Sequence, residues 1–311
     1  MIFNRKNWSM SHQESSVKSI LFALLANLGI AITKTVAAVI TGSGAMMAEA
    51  IHSYADCGNQ GLLFLGLKAA KKEPDEDHPL GYGKEIYFWS FIVALILFSM
   101  GGLFSVYEGI HKIGSHEGLR SPMIAVVVLS VSIVLEAASL AGCLIQIKKV
   151  KRNMSLWKWV RTSRQSELIV VLGEDTAALL GLAFALIAVV LSIITGNPVF
   201  DAAGSIGIGI LLIIISFFLA YKVKSLLIGQ SSDDVTKDQI LKLLESRPEI
   251  LEVYNLITLQ LGPRIMVAVK ARMDSSTSPE QMIKSINICE AELKKANLDI
   301  QWVFFEPDIE T

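Results

Sequence analysis

The chain has 311 residues, of which 52% are hydrophobic and 18% are charged, and its mean hydropathy is +0.50. Soluble domains carry about 25% charged residues, so this composition excludes an ordinary soluble protein and predicts a polytopic α-helical membrane protein. The net charge of −1 is uninformative, and the three scattered cysteines, Cys57, Cys143 and Cys289, predict neither a disulfide framework nor a CxxC metal motif.

Six segments are long and apolar enough to be predicted as transmembrane helices, since about 20 residues at 1.5 Å rise span the hydrocarbon. Turns containing Gly, Asn and Pro join the first pair and the last pair, which predicts two antiparallel hairpins. The segment before them, residues 1–16, has basic residues but no apolar run with a cleavage site, so no cleaved signal peptide is expected. The six spans cover about 17–41, 45–70, 84–113, 121–147, 166–195 and 198–228.

Lysine and arginine gather on one side of the predicted membrane domain, residues 17–228. The 2–3 and 4–5 loops are basic, whereas the 1–2 and 5–6 turns carry neither residue. The positive-inside rule therefore predicts that both termini are cytoplasmic. The 4–5 loop, with Trp157 and Trp159, suits a membrane interface and is too short for a fold that binds nucleic acid.

Residues 229–311 have the composition of a small soluble domain, which the positive-inside rule predicts to be cytoplasmic. Two helical patterns and three β-rich runs follow in the order αββαβ, with a turn at Gly262–Pro263 and a helix start at Ser278–Pro279. This order predicts a compact α+β domain of ferredoxin-like type with its helices on one face of the sheet. So small a core is marginal, which makes this domain the expected site of dimerisation.

Two predicted spans carry ionisable residues near their centres. In the second span, His52 and Asp56 lie one helical turn apart, so both side chains leave the helix on one face. An ionisable group in lipid costs at least ~2.5 kcal/mol, and such residues usually serve a function. Glu174 and Asp175 lie in the fifth span and diverge by about 100°, so one of them can face the first pair. Imidazole and carboxylates together predict a divalent-cation site, although an interhelical hydrogen bond is the alternative.

The motifs AEAIHSYADCGNQGLL, DHPLGYGKE, LGEDTAALLG and TGNPVFDAAGSIGIG resemble the cation diffusion facilitator family, closest to its branch of mitochondrial zinc-transporter-like proteins and their bacterial relatives. The resemblance implies a dimeric, proton-coupled exporter of divalent transition metals, with two ligands from span 2 and two from span 5. His52, Asp56 and Asp175 match three of these positions, whereas Val171 stands at the fourth and has no ligating atom. Glu174, aided by a flexible Gly173, is the expected substitute, with water as the alternative.

Other polar residues carry weaker signals. Asp75 and His78 match two positions of a second metal site in some relatives, but Tyr82 stands at the third, so a solvated acidic loop is the preferred interpretation. Residues 229–311 contain no histidine, so metal sensing there is not expected. Four further polar residues lie in the spans. Glu49 is expected to orient His52, Lys34 to extend its amine to the membrane surface, and Asp201 to cap its own helix. The role of Glu136 stays open between proton carrier, packing residue and ligand.

The predicted function is export of Zn²⁺, with Mn²⁺ or Fe²⁺ as alternatives, in exchange for protons that compete for the ligands. The rival hypotheses are a non-transporting scaffold of the same family that stabilises a partner, and a membrane-bound enzyme. No soluble segment offers a nucleophile or base beside a pocket, so an enzyme is not expected. The expected location is a cell inner membrane, because no long transit-like leader precedes the first span.

Overall fold

The computed structural model describes residues 27–115, 120–151, 153–274 and 278–309. The predicted N-terminal segment and the beginning of the first predicted span therefore lie outside the described residues. The elements, in chain order, are α1 Asn27–Thr41, α2 Gly44–Ala69, α3 Glu85–Ile96, the π-helical segment Leu97–Leu103, α4 Phe104–Ser115, α5 Pro122–Val150, α6 Leu156–Thr162, α7 Ser166–Thr195, α8 Val199–Ile228, α9 Asp234–Glu245, β1 Ile250–Leu261, β2 Arg264–Met273, α10 Pro279–Ala296 and β3 Ile300–Pro307.

Among the described residues, four helical segments are both long and apolar enough to cross a membrane, and they correspond to the third to sixth predicted spans. Helix α2, with 26 residues, is long enough but carries the polar residues around His52. Helix α1 is apolar and is described from Asn27 onward. Helix α6 was not predicted. The four segments are Glu85–Ile113, Pro122–Val150, Ser166–Thr195 and Val199–Ile228.

The chain divides into two compact units. The first contains the described parts of residues 1–64, 92–150 and 170–220, which hold most of the membrane helices. The second contains the described parts of residues 65–91, 151–169 and 221–311, which hold the helix ends next to the basic loops together with the small sheet. All four predicted metal ligands lie in the first unit.

Close helix packing in the first unit depends on glycines of α8. A Cβ on Gly209 would lie 2.6 Å from Cγ2 of Val106, and one on Gly204 would collide with the side chain of Ala188. Gly207 is packed less tightly, since its nearest neighbour would be Phe184 at 3.9 Å. Small residues let helix backbones approach closely, and dispersion contacts between the helices then stabilise the bundle.

The order αββαβ predicted for residues 229–311 is observed as α9, β1, β2, α10 and β3. The sheet order is β1-β2-β3, with β1 antiparallel to β2 and β2 parallel to β3. One face of the sheet buries Val267, Val269 and Ala271 against residues of both helices, including Leu244 and Leu293. The predicted N-cap of α10 is confirmed: the hydroxyl of the cap serine accepts from the N–H of Gln281, whose side chain accepts from the cap N–H.

The tip of the β1–β2 hairpin is anchored within the second unit. Gly262 adopts the left-handed φ of 64° that the tight turn requires. Its N–H donates to the hydroxyl of Tyr87 at 3.1 Å. A Cβ on either Gly262 or Gly83 would collide with the backbone of the other segment, so the two chains touch backbone to backbone. This contact joins the small sheet to the beginning of α3.

Candidate metal-binding site in the membrane helices

Helix α2 presents His52 and Asp56 on one face, as their spacing predicted. Nε2 of His52 lies 3.5 Å from Oδ2 of Asp56. His52 is 0% exposed, and neither of its ring nitrogens hydrogen-bonds to any residue that the structure describes. Oδ1 of Asp56 is buried and similarly unpartnered. Because buried polar atoms without partners are destabilising, such atoms in a native protein call for a ligand, a proton or water.

Helix α7 sends its two adjacent carboxylates to different neighbours. Glu174 is 6% exposed, and its Oε1 accepts a hydrogen bond from Nδ2 of Asn59 on α2. Asp175 accepts a hydrogen bond from Oγ of Ser139 on α5 at 3.3 Å. Glu174 therefore contacts the helix that carries His52 and Asp56, whereas Asp175 contacts α5.

Both carboxylates nevertheless border one small cavity, which has a volume of about 40 Å³. Since a single water needs roughly 10–15 Å³ on this measure, the space suffices for an ion with a water or two. Asp56, Glu174 and Asp175 border it, as do Glu136 and the apolar Val171. Three predicted ligands thus share one cavity, and the fourth, His52, adjoins it through Asp56.

The side chains do not form a closed coordination shell as they stand. Within the described ranges, no three His, Cys, Asp or Glu residues are arranged to hold a metal ion. Gly173 lies inside the continuous helix α7, where a Cβ would come within 2.9 Å of Leu219. The glycine therefore provides close packing rather than the flexibility expected beside Glu174. Assembly of a shell requires side-chain rotation into the cavity.

Lys34 and Glu49 correct two expectations from the sequence. Lys34 was expected to snorkel, but it is 0% exposed and its Nζ lies 3.3 Å from Oε2 of Glu49. The same amine donates to Oγ of Ser53, which borders the cavity, at 2.8 Å. Glu49 was expected to orient His52, but the two make no hydrogen bond. The carboxylate is held by the amine of α1, which places an ion pair beside the cavity.

Asp201 also differs from its prediction, because it caps another helix rather than its own. Its carboxylate accepts hydrogen bonds from the hydroxyl of Ser43 and, at 2.7 Å, from the N–H of Gly44 at the start of α2. Nζ of Lys112 lies 3.3 Å from the same carboxylate. Asp201 therefore joins the N-terminus of α2 to α4 and α8. The sequence indicates a helix start at Ser43 and Gly44, but it does not identify Asp201 as the residue that caps this helix.

The sequence also failed to predict the π-helical segment between α3 and α4. Gly101 and Gly102 are buried within it, and a Cβ on Gly101 would lie 3.7 Å from Nδ1 of His52. Single π-helical turns inside α-helices occur frequently at functional sites. The segment brings a side-chain-free stretch of backbone against the imidazole.

Asp75 and His78, which match two positions of a second metal site in some relatives, lie in the loop after α2, where Asp75 is engaged by internal hydrogen bonds. The Asp75 carboxylate accepts from the hydroxyl of Tyr82 at 2.7 Å, from Nζ of Lys72 at 3.0 Å and from the N–H of His78 at 2.8 Å. The Tyr82 and Lys72 bonds hold the pKa of the Asp75 carboxyl below its usual value. These contacts favour the solvated-loop interpretation.

The small sheet domain offers poor ligands. Burial raises the pKa of the Cys289 thiol to about 11, so the thiolate that binds metals is scarce at neutral pH. No histidine is present in residues 229–311.

Apolar helices around a carboxylate-bordered cavity define a multi-pass membrane protein. Residues 20–228 match the family model of the cation efflux transmembrane domain. The chain belongs to the cation diffusion facilitator family of metal-cation efflux transporters.

Several relatives support this assignment, and the first of them is named as an antiporter. The chain is 37% identical over 234 residues to the protein named "Proton-coupled zinc antiporter SLC30A9, mitochondrial" of Homo sapiens. The aligned region covers 74% of this chain and 41% of the relative. It is 33% identical over 225 residues to metal tolerance protein C4 of Arabidopsis thaliana, covering 72% of this chain and 49% of the relative. It is 25% identical over 257 residues to magnetosome protein MamB of Magnetospirillum gryphiswaldense, covering 81% and 80%. The chain therefore spans less than half the length of the first two relatives.

Proposed function

We propose that this protein exports divalent transition-metal cations, Zn²⁺ foremost, from the cytoplasm in exchange for protons. The observation that carries the proposal is the buried, unpartnered His52 next to Asp56, on a helix that borders a cavity with further carboxylates. An ionisable cluster among apolar helices is costly unless an ion or protons occupy it. The similarity to a protein named a proton-coupled zinc antiporter supports Zn²⁺ as the substrate and protons as the exchanged ion.

Four residues are proposed to bind the ion. His52 supplies an imidazole nitrogen, and Asp56, Asp175 and Glu174 supply carboxylate oxygens. The amide of Asn59 holds one oxygen of Glu174 and leaves the other available to the ion. Mixed nitrogen and oxygen ligation suits Zn²⁺, whereas the excess of carboxylates leaves Mn²⁺ or Fe²⁺ as alternative substrates.

Proton exchange follows from the chemistry of these ligands. A metal ion requires a neutral imidazole and ionised carboxylates, so binding displaces protons and protons displace the ion. Once the site has changed sides, protons that compete for Asp56 and its neighbours release the ion, and the protonated site returns. Exchange with protons then gives net export when the outer compartment is the more acidic one.

Assembly and orientation are proposed from the sequence and the family resemblance. The proposed transporter has six spans, with both termini on the cytoplasmic side of a cell inner membrane. It is a homodimer formed through a ferredoxin-like C-terminal domain. The row Ile257, Ala268 and Phe304 runs across three strands, and Ile257 and Phe304 are 53% and 55% exposed, which supports pairing of this sheet face with a second copy.

The second candidate function is a scaffold that has lost transport and stabilises a partner. Val171, which borders the cavity where the family resemblance implies a ligand, favours it. Reconstitution of the purified full chain in vesicles with an acidic lumen separates the two. A transporter accumulates Zn²⁺ above protein-free vesicles, and a protonophore abolishes the accumulation. A scaffold gives protein-free rates under both conditions.

A further inference from the structure

We propose that Glu136 of α5 is an additional ligand of the transported ion, and that it raises the coordination number of the site in favour of Mn²⁺. Its role rests on the proposed function, since it concerns the same cavity. Glu136 lies on a third helix, so the proposed ligands on α2 and α7 do not by themselves indicate that it binds the ion.

Glu136 borders the cavity although its helix is the least buried of the four apolar segments that are long enough to cross a membrane in the described part of the chain. Only 17% of the most apolar window of α5 is buried, and Glu136 is the single acidic residue of that helix. A lone carboxylate directed to lipid would cost at least ~2.5 kcal/mol. The structure instead places it on the wall of the cavity, together with Asp56 and Asp175.

The surrounding atoms indicate a cation rather than a simple acidic cluster. His52, which adjoins this wall through Asp56, is fully buried with both ring nitrogens unpartnered, and Oδ1 of Asp56 is likewise unpartnered within the described part of the chain. Glu136 itself makes no hydrogen bond or ion pair with a described residue. The amine of Lys34 is already engaged by Glu49 and Ser53. A dication is the species that satisfies the imidazole and the carboxylates together.

The position of Val171 makes an oxygen from α5 useful. Val171 borders the cavity without a donor atom, so α7 contributes only Glu174 and Asp175. With Glu136, the wall offers four carboxylates, and the imidazole of His52 adjoins the wall through Asp56. Zn²⁺ is satisfied by four ligands in a tetrahedron, whereas Mn²⁺ prefers more ligands and mostly oxygen. Removal of Glu136 should therefore weaken Mn²⁺ binding more than Zn²⁺ binding.

Calorimetric titration of the purified full-length protein in detergent with Zn²⁺ and with Mn²⁺ tests this role. Glu136→Gln should lower Mn²⁺ affinity by at least about tenfold and Zn²⁺ affinity by less. Val171→Asp in the same background should restore Mn²⁺ binding by supplying a carboxylate from α7. Glu108→Gln, the same change on another membrane helix away from the cavity, should bind both metals as the unmodified protein does.

The outcomes separate this inference from the proposed function. If Glu136→Gln binds both metals normally while Asp56→Asn binds neither, the site stands and the role of Glu136 is refuted. If Asp56→Asn also binds normally, the proposed site itself is wrong. Should Glu136→Gln fail to fold, Glu136→Asp decides: this variant keeps the charge but withdraws the oxygen by one methylene. Lower Mn²⁺ affinity in Glu136→Asp supports a ligand, and unchanged affinity overturns it.

Discussion

Nζ of Lys34 lies 3.3 Å from Oε2 of Glu49, and the two side chains are 1% and 0% exposed. An ion pair this deep among membrane helices has no water to compensate either charge if the other is removed. It joins α1 to α2 one helical turn from His52, and through Ser53 it reaches the wall of the cavity. The pair therefore fixes the orientation of the helix that carries the first two proposed ligands.

Lys34→Met should destabilise the protein by about 3–5 kcal/mol, because it leaves the Glu49 carboxylate buried without its cation. Lys34→Met combined with Glu49→Gln should recover most of this loss, since neither variant residue is charged. Unfolding in detergent by a denaturant series measures both. Lys68→Met, on the exposed end of α2, is the matched control. A double variant no more stable than Lys34→Met would show that the two charges do not depend on each other.

Asp201→Ala should cost more stability than an ordinary helix cap, because it removes a cap from α2 and also the partner of Lys112. Loss of a helix cap alone costs about 1 kcal/mol. Asp201→Ala also removes the ion pair with Lys112, so the total loss of stability should be larger. Thermal unfolding in detergent should show a clear drop for Asp201→Ala and none for Asp77→Ala in the exposed loop. Equal melting temperatures for the two variants would contradict the joining role of Asp201.

Glu174→Gln should weaken Zn²⁺ binding by about tenfold or more while leaving the fold intact. The amide oxygen of Gln can still accept the hydrogen bond from Asn59, but the negative charge that attracts a dication is lost. Isothermal titration gives the affinity, and Val171→His should shift preference toward Zn²⁺ by adding a second imidazole. Normal Zn²⁺ affinity in Glu174→Gln would restrict this residue to helix packing.

Phe304→Asp should weaken dimerisation without unfolding the small sheet domain. Phe304 is 55% exposed and shares the open face of the sheet with Ile257, so a charge there opposes apolar pairing. Light scattering during size-exclusion chromatography reports the mass of the particle. Leu298→Asp, at a residue 90% exposed outside the strands, is the control. A Phe304→Asp protein that remains dimeric would place the dimer contact elsewhere.

The sequence predicted local features well. The bounds of α7 were predicted as residues 166–195 and are observed as Ser166–Thr195, because a long apolar run ends at the helix breakers Gly196 and Pro198. The αββαβ order and the start of α10 at Ser278–Pro279 were also predictable, since they depend on residues close together in the chain. The spacing of His52 and Asp56 fixes their common face for the same reason.

Partners distant in sequence were not predictable. Lys34 could have snorkelled, and Asp201 could have capped its own helix, since both choices agree with local chemistry. The polar group that a buried side chain meets on the neighbouring helix depends on how the two helices rotate and pack. The sequence of one helix does not specify that rotation or packing. The same limit applies to Asn59 with Glu174 and to Glu136, whose place on the cavity wall follows from the orientation of α5.

Zn²⁺ uptake into proteoliposomes with an acidic lumen, measured for the unmodified protein beside His52→Ala, Asp56→Ala and Asp175→Ala, tests the proposed transport site most directly. Each variant removes one proposed ligand, so all three should fall to the rate of protein-free vesicles while remaining folded. The unmodified protein should accumulate Zn²⁺ and acidify the medium as protons leave in exchange. Uptake near the unmodified rate in any one of the three variants would contradict the assignment of that residue, and such uptake in all three would show that the ion crosses elsewhere.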